Sequence, residues 1–392
     1  MIRVDNFTYK IFQNTNNSKY SFIKKLKSQK YCHVPQDNFD YFFDLSFLPI
    51  EDLPIFIEDL REKNIVRTKF NNTKSFCFVN MGEGYACDSY FTYLHEIISL
   101  LNLKGKVYLT NASYNLCEMY EKFCKRKKIP KLINCFYHSN LFESPNLRMD
   151  RQKVYNDTSG KIKLRKLFEK KLFCNFNMRD RGHRYAMIAI LHYYNLLEDN
   201  FVSSPNGLWD ENPYNFHRDW HRMITYPENF FQNHELQADI VNKIESLKSK
   251  YPLRIDDRSK YDTAEEAILD SKLCNARKQS LFEIISETHV YGTHFFSEKT
   301  FMPIFLKKPF LMYNGYKALE SLKKMGYMSF HPIINESYDN IKNDAARCVA
   351  IAEELARQKD LRTNQPDLFY MQYKILLRIC DYNYKIFIKK SL

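Results

Sequence analysis

Apolar and polar residues along this chain alternate between two periods. Lys74–Asn80 (KSFCFVN) is a short apolar run between polar flanks, the pattern of a buried strand. Asp88–Leu101 has apolar residues at helical spacing. Lys106–Leu109 then predicts a second strand, Asn115–Lys127 a helix and Lys131–Tyr137 a third strand. The pattern restarts at Leu172–Asn177 (LFCNFN), followed by a helix over Tyr185–Leu197. It returns at Phe282–Ser286, a strand, with a glycine-containing loop over His289–Phe296. Ser297 is a good N-cap for a helix over Glu298–Leu306, in which Pro303 would produce a kink, and Phe310–Tyr313 is the next strand. After Tyr313-Asn314-Gly315 come an amphipathic helix, an acidic loop, and helices over Ile341–Gln358 and Leu368–Ile388. Asp52–Lys63 and Tyr261–Ala276 also read as helices.

Strands alternating with helices predict an α/β protein with parallel sheets in Rossmann-like domains. Residues 138–158 are rich in Ser, Pro, Asn and Asp, and Lys161–Lys171 (KIKLRKLFEKK) is a basic linker. The expected division is therefore a first domain over residues 1–165 and a second over 166–367. Phe201–Tyr251, with Trp209, His217, Trp220 and His221, reads as an irregular insertion. Its aromatic groups would pack on the core or stack a base or sugar.

The 392 residues suffice for two cores, and 44% hydrophobic content argues against disorder. No apolar run is long enough to span a bilayer, and the N-terminus has no secretory h-region. Ten scattered cysteines fit reduced, buried thiols, so a cytoplasmic location is expected, in the host cytoplasm for a viral protein. The His and Cys residues show no zinc spacing, and no metal site is expected. The net charge of +13, from 59 basic and 46 acidic side chains, points to an anionic partner: a nucleotide, a nucleic acid or a membrane surface. A compositional bias towards Lys, Asn, Ile, Tyr and Phe explains the charge equally well.

Two basic strings stand at predicted strand-to-helix junctions. Arg179, Arg181 and Arg184 surround Asp180 after Asn177, and three guanidinium groups at one junction repel one another unless an anion joins them. Glu298 and Lys299 fall in the first turn after Ser297, where helix N-termini of open α/β sheets hold phosphates. The plainer reading is a solvated first turn. Lys125–Lys128 (KRKK) ends a helix, where cations suit the dipole. Glu83 lies between Gly82 and Gly84 after the first clear strand, with Asp88 close behind, and Asn111 and Asn115 follow the second.

Glu287-Thr288, Ser297-Glu298-Lys299-Thr300-Phe301 and Glu336-Ser337-Tyr338-Asp339 together resemble the donor-binding half of GT-B glycosyltransferases, the fucosyltransferase-like kind and a viral and bacterial group. The arginine string is similar to that family's Asn-Arg-x-x-x-x-His-Arg loop, departing from it at Met178. The resemblance implies two Rossmann-like domains facing across a cleft, with the 368–392 helix packing back on the first. It implies transfer from a UDP- or GDP-sugar to a hydroxyl, with no tightly bound cofactor and no metal. Arg179, Arg181, Arg184, Ser297, Glu298, Lys299 and Thr300 would bind the donor, Glu298 through the ribose hydroxyls and the cations through the diphosphate. Glu287 would hold either the sugar or the loop. Glu83 would be the catalytic base, with Asp88 in reserve. With the net charge, the resemblance makes double-stranded DNA bearing hydroxymethylated bases, as in phages, the first acceptor to consider. A surface glycan, a lipid-linked or a protein acceptor is the alternative, and a non-catalytic nucleic-acid-binding GT-B protein is the third reading.

Overall fold

A computed structural model describes residues 11–13, 41–44, 53–62, 75–80, 86–137, 167–177, 182–198, 200–204, 253, 271–290 and 292–391. The chain divides into two compact units. Met1–Phe142 and the short segment Gly292–Phe296 make the first; Glu143–Tyr291 and Ser297–Leu392 make the second. The class is α/β with parallel strands, as the alternating pattern requires.

In the first unit β1 (Ile11–Gln13), β2 (Tyr41–Asp44), β3 (Ser75–Asn80), β4 (Lys106–Asn111) and β5 (Ile133–Tyr137) stand side by side in chain order. Only the β1–β2 pair is antiparallel. Helices α1 (Leu53–Glu62), α2 (Asp88–Leu100) and α3 (Leu116–Lys127) supply Phe56, Phe91, Leu94, Tyr120 and Phe123 to a core shared with Phe76, Phe78 and Leu109 of the strands. The Phe91 ring lies 5.2 Å from Tyr120 and 5.4 Å from Phe123. Burying each such ring contributes about 1.5–3 kcal/mol.

The segment 292–296 joins this unit through polar contacts. Ser113 forms an antiparallel bridge with Phe295, and Tyr114 N donates to His294 O at 2.9 Å. The Asn115 side chain donates to Gly292 O (2.8 Å) and accepts from His294 N (2.9 Å). Gly292 has φ of +65° with open space where a Cβ would stand, so its backbone angle, not crowding, calls for glycine.

In the second unit β6 (Lys171–Phe176), β7 (Phe201–Ser203), β8 (Ser280–Ser286) and β9 (Phe310–Tyr313) form a wholly parallel sheet in the order β7-β6-β8-β9. Its helices are α4 (Gly182–Tyr193), α5 (Ser271–Lys278), α6 (Glu298–Phe305), α7 (Ala318–Lys324), α8 (Asp344–Asn364) and α9 (Pro366–Ser391), with a 3-10 turn at Glu336–Asn340. The chain leaves β6 through α4 to one side and later crosses to β8 on the other, so strand order reverses between β6 and β8. Right-handed crossovers running in opposite directions put α4 and α6 on opposite faces. Accordingly α4 packs on α8 and α6 on α9. Phe282 of β8 packs edge-on against Phe369 and Tyr373 of α9, and Phe301 and Phe305 of α6 meet Phe387. The terminal helix thus contributes its buried side chains to the second unit.

Several boundaries differ from the sequence expectation. Residues 201–203, read as the start of an irregular insertion, form β7. Helix α4 begins at Gly182, three residues before the apolar run that predicted it, and α8 extends to Asn364. On the sheet, buried Glu283 accepts from Arg277 Nε at 3.1 Å through both oxygens. Burial pushes the Lys308 ammonium down to about 8, and it donates to the carbonyls of Arg277 and Ser280, closing the end of α5.

Candidate functional site

The strand order reverses between β6 and β8, and the region beyond their carboxyl ends is where doubly wound sheets bind ligands. Its first element is the turn after β8. Glu287 is fully buried, and its carboxyl group takes four donors. Oε1 accepts from Ser297 N (2.9 Å) and Thr300 Oγ1 (2.5 Å); Oε2 accepts from Ser297 Oγ (2.6 Å) and Thr288 N (3.3 Å). Of the two roles open to it, this geometry is that of a clamp on the loop, tying the end of β8 to the first turn of α6. The hydroxyls of Ser297 and Thr300 are committed to this clamp.

Ser297 caps α6 as its sequence predicts: Oγ accepts from Lys299 N at 3.2 Å. Lys299 folds back over the helix N-terminus, bringing Nζ 3.3 Å from Ser297 Oγ and 2.7 Å from Glu298 Oε1. Neighbouring residues on a helix do not ordinarily face each other, so this pair depends on the lysine curling across the cap. Both side chains remain about one-fifth exposed. Burial pushes the Glu298 carboxyl up, but it is outweighed by the charge and hydrogen bond of Lys299, the Glu298 backbone N–H and the charge of Arg184. The net effect holds the group below the usual glutamate range.

Arg184 comes from the first turn of α4, where its guanidinium is buried within electrostatic reach of Glu298. Beside it His183 Nε2 lies 2.8 Å from Glu287 O. A carbonyl only accepts, so Nε2 carries the proton. The His183 ring also stands edge-on to Tyr313 at 5.9 Å. Just past β6, Asn177 Nδ2 donates to Asn175 Oδ1 (2.7 Å) of that strand, and Asn175 Nδ2 donates to Ile284 O (2.9 Å) of β8. Arg184, more than 100 residues before Glu298 and Lys299 in sequence, is thus brought with them to one end of one sheet.

Arg347 and His183 were not singled out from the sequence. Arg347 is buried in α8, over the Tyr313 ring, and donates to Val290 O (3.0 Å), Ile341 O (2.5 Å) and Asp344, fixing the turn after β8 from below. Its spacing of four from buried Ile351 placed it on the apolar face of its helix, a readable signal. In the Glu336–Asp339 string, Glu336, Tyr338 and Asp339 face inward. Asp339 accepts from Leu319 N (3.0 Å) and Glu320 N (3.2 Å) at the start of α7, and Glu336 accepts from Phe330 N (2.8 Å). Burial raises both carboxyls. In the first unit Asp88 is exposed and paired with Arg126. Asn111 accepts from Ser113 N (2.7 Å), while Asn115 holds Gly292 and His294. Glu83, Arg179, Arg181, Trp209, His217, Trp220 and His221 lie outside the described residues. Among the described residues no group of His, Cys, Asp and Glu forms a metal-binding cluster, and no helix is long and apolar enough to cross a membrane.

No protein-family model, no curated protein and no solved structure matches this chain.

Proposed function

We propose that this chain is a GT-B glycosyltransferase whose second unit binds a nucleotide-diphosphate sugar and whose first serves a hydroxyl acceptor. One observation carries the reading. At the point where strand order reverses, Lys299 at the head of α6 is paired with Glu298, and Arg184 at the head of α4 acts electrostatically on the same carboxylate. Two cations and two helix N-termini suit a diphosphate. Glu298, held ionised at neutral pH, accepts from the ribose hydroxyls, and the Lys299 amine moves from it to the phosphate oxygens.

The acceptor oxygen attacks the anomeric carbon as the bond from that carbon to the diphosphate oxygen breaks. The nucleoside diphosphate leaves with the bonding electrons. Arg184 and Lys299 stabilise the charge that develops on it. Glu83, at the carboxyl end of β3 in sequence, takes the acceptor proton. A net charge of +13 supports an anionic acceptor, of which DNA with hydroxymethylated bases is the first to test.

The test is calorimetric titration with UDP and GDP, followed by transfer from radiolabelled UDP- and GDP-sugars to hydroxymethylated DNA, plain DNA and lipid-linked acceptors. Lys299→Ala and Glu298→Ala should fold normally and lose donor use. Turnover at the wild-type rate in both variants, or no binding of either nucleotide to the wild type, would refute the reading.

A further inference from the structure

The terminal helix α9 has two contrasting faces. Phe369, Tyr373, Leu376 and Phe387 are buried on the second unit. The opposite face carries Leu368, Met371, Ile375 and Tyr382, which are 42%, 64%, 48% and 41% exposed. Their spacings of three, four and seven align them in one stripe. Lys374, Arg378, Lys385 and Lys389 are exposed along one edge of it. Two acidic residues share the face: Asp367, and Asp381, whose carboxylate is 2.9 Å from Lys307 Nζ. Next to Tyr382, buried Asn383 holds the backbone of Met328 at both ends, accepting from its N–H (2.7 Å) and donating to its carbonyl (2.9 Å). That bracket fixes another half-exposed apolar residue beside the helix.

We infer that this face of α9 lies flat on an anionic lipid membrane. Its apolar side chains enter the boundary between headgroups and acyl chains, while the Lys and Arg side chains extend to the lipid phosphates. The charges on the face select this occupant. Arg378 and Lys385 continue the stripe at the same spacings, so a second copy seated on it would bury like charges along an apolar seam. A nucleic acid would neutralise the basic edge but leave four apolar side chains uncovered. The inference goes beyond the proposed transferase reading and does not depend on it.

Flotation of the full chain with phosphatidylcholine vesicles, with and without phosphatidylglycerol, tests it. The protein should float with the mixed vesicles only and be released by salt. The double variants Met371→Glu/Ile375→Glu and Lys374→Glu/Arg378→Glu should each lower partitioning more than about ten-fold. Because these side chains are exposed, circular dichroism and UDP or GDP affinity should stay at wild-type values, which separates this test from that of Lys299→Ala. Equal flotation with neutral vesicles, or unchanged flotation of either double variant, would overturn the inference. So would a dimer in light scattering that the apolar variant dissociates, or retention on duplex DNA that the charge variant loses without any loss from vesicles.

Discussion

The two units use the same α/β grammar, yet the carboxyl ends of their sheets are put to different uses. In the first unit the strands follow chain order, so no reversal opens a crevice among the described strands. Polar groups at and beyond the end of β4 bond to backbone: Asn111 to Ser113, and Asn115 to Gly292 and His294. In the second unit the order reverses between β6 and β8, and charged side chains from α4 and α6 collect at that end. A parallel sheet alone makes a scaffold. A parallel sheet whose helices diverge to opposite faces makes a place for a ligand.

The clamp at Glu287 is where that difference can be broken most severely. Glu287→Ala strands the N–H and hydroxyl of Ser297 and the hydroxyl of Thr300 in a buried turn, an expected cost of about 3–5 kcal/mol. Thermal unfolding with hydrogen exchange should show protection lost from β8 and α6 while β3 and β4 keep theirs. Loss spread evenly over both units would mean the clamp is not local. Next in size is Arg184→Ala. Removing one of the two cations that act on Glu298 among the described residues should weaken UDP or GDP binding about ten- to hundred-fold, with a shallower salt dependence. Unchanged affinity would remove Arg184 from the site. Asn115→Ala is smaller again: losing two hydrogen bonds should cost about 1–2 kcal/mol, seen as faster exchange over 292–296. Nucleotide affinity should not change, and a loss in this variant would show that the polar end of the first unit is more than scaffold.

The strands and the cap of α6 were legible because their signals are local. SLFEIIS is an apolar run broken between its terminal serines only by Glu283, and Ser297 followed by Glu298 is a helix start in any context. What was missed depends on distant partners. The apolar run of α4 begins at Tyr185, so periodicity placed the helix start there. The helix instead includes His183, whose ring bonds to a carbonyl 104 residues away. β7 is only three residues long and exists because β6 offers an open edge to pair with. Yet β7 is what makes the order reverse, so the best argument for the site's location was the least readable part of the sheet. For Glu287 the chemistry was legible, a carboxyl at a strand end, but not its use. Only the fold shows that Ser297 and Thr300 turn their hydroxyls inward to it.

The smallest expected effect separates the units by the way each employs a histidine. In the first unit the Tyr120 hydroxyl accepts from Leu132 N (3.0 Å) and Ile133 N (3.1 Å), which fills its lone pairs. It must then donate to His95 Nε2, 2.8 Å away, and that nitrogen must be unprotonated. Burial holds the His95 pKa below its ordinary 6.5. In acid the unfolded chain therefore takes up this proton more readily than the folded one, so stability is complete above about pH 6.5 and declines as pH falls below it. In the second unit His183 Nε2 is itself the donor, to Glu287 O, so the two histidines use that nitrogen in opposite senses. Lowering the pH from 8 to 5.5 should thus speed amide exchange in β5, next to Leu132 and Ile133. Substitution of Tyr120 by Phe should abolish that acceleration. An NMR titration placing His95 at the ordinary histidine value would remove the expected acid effect, and one placing it above would reverse its sign.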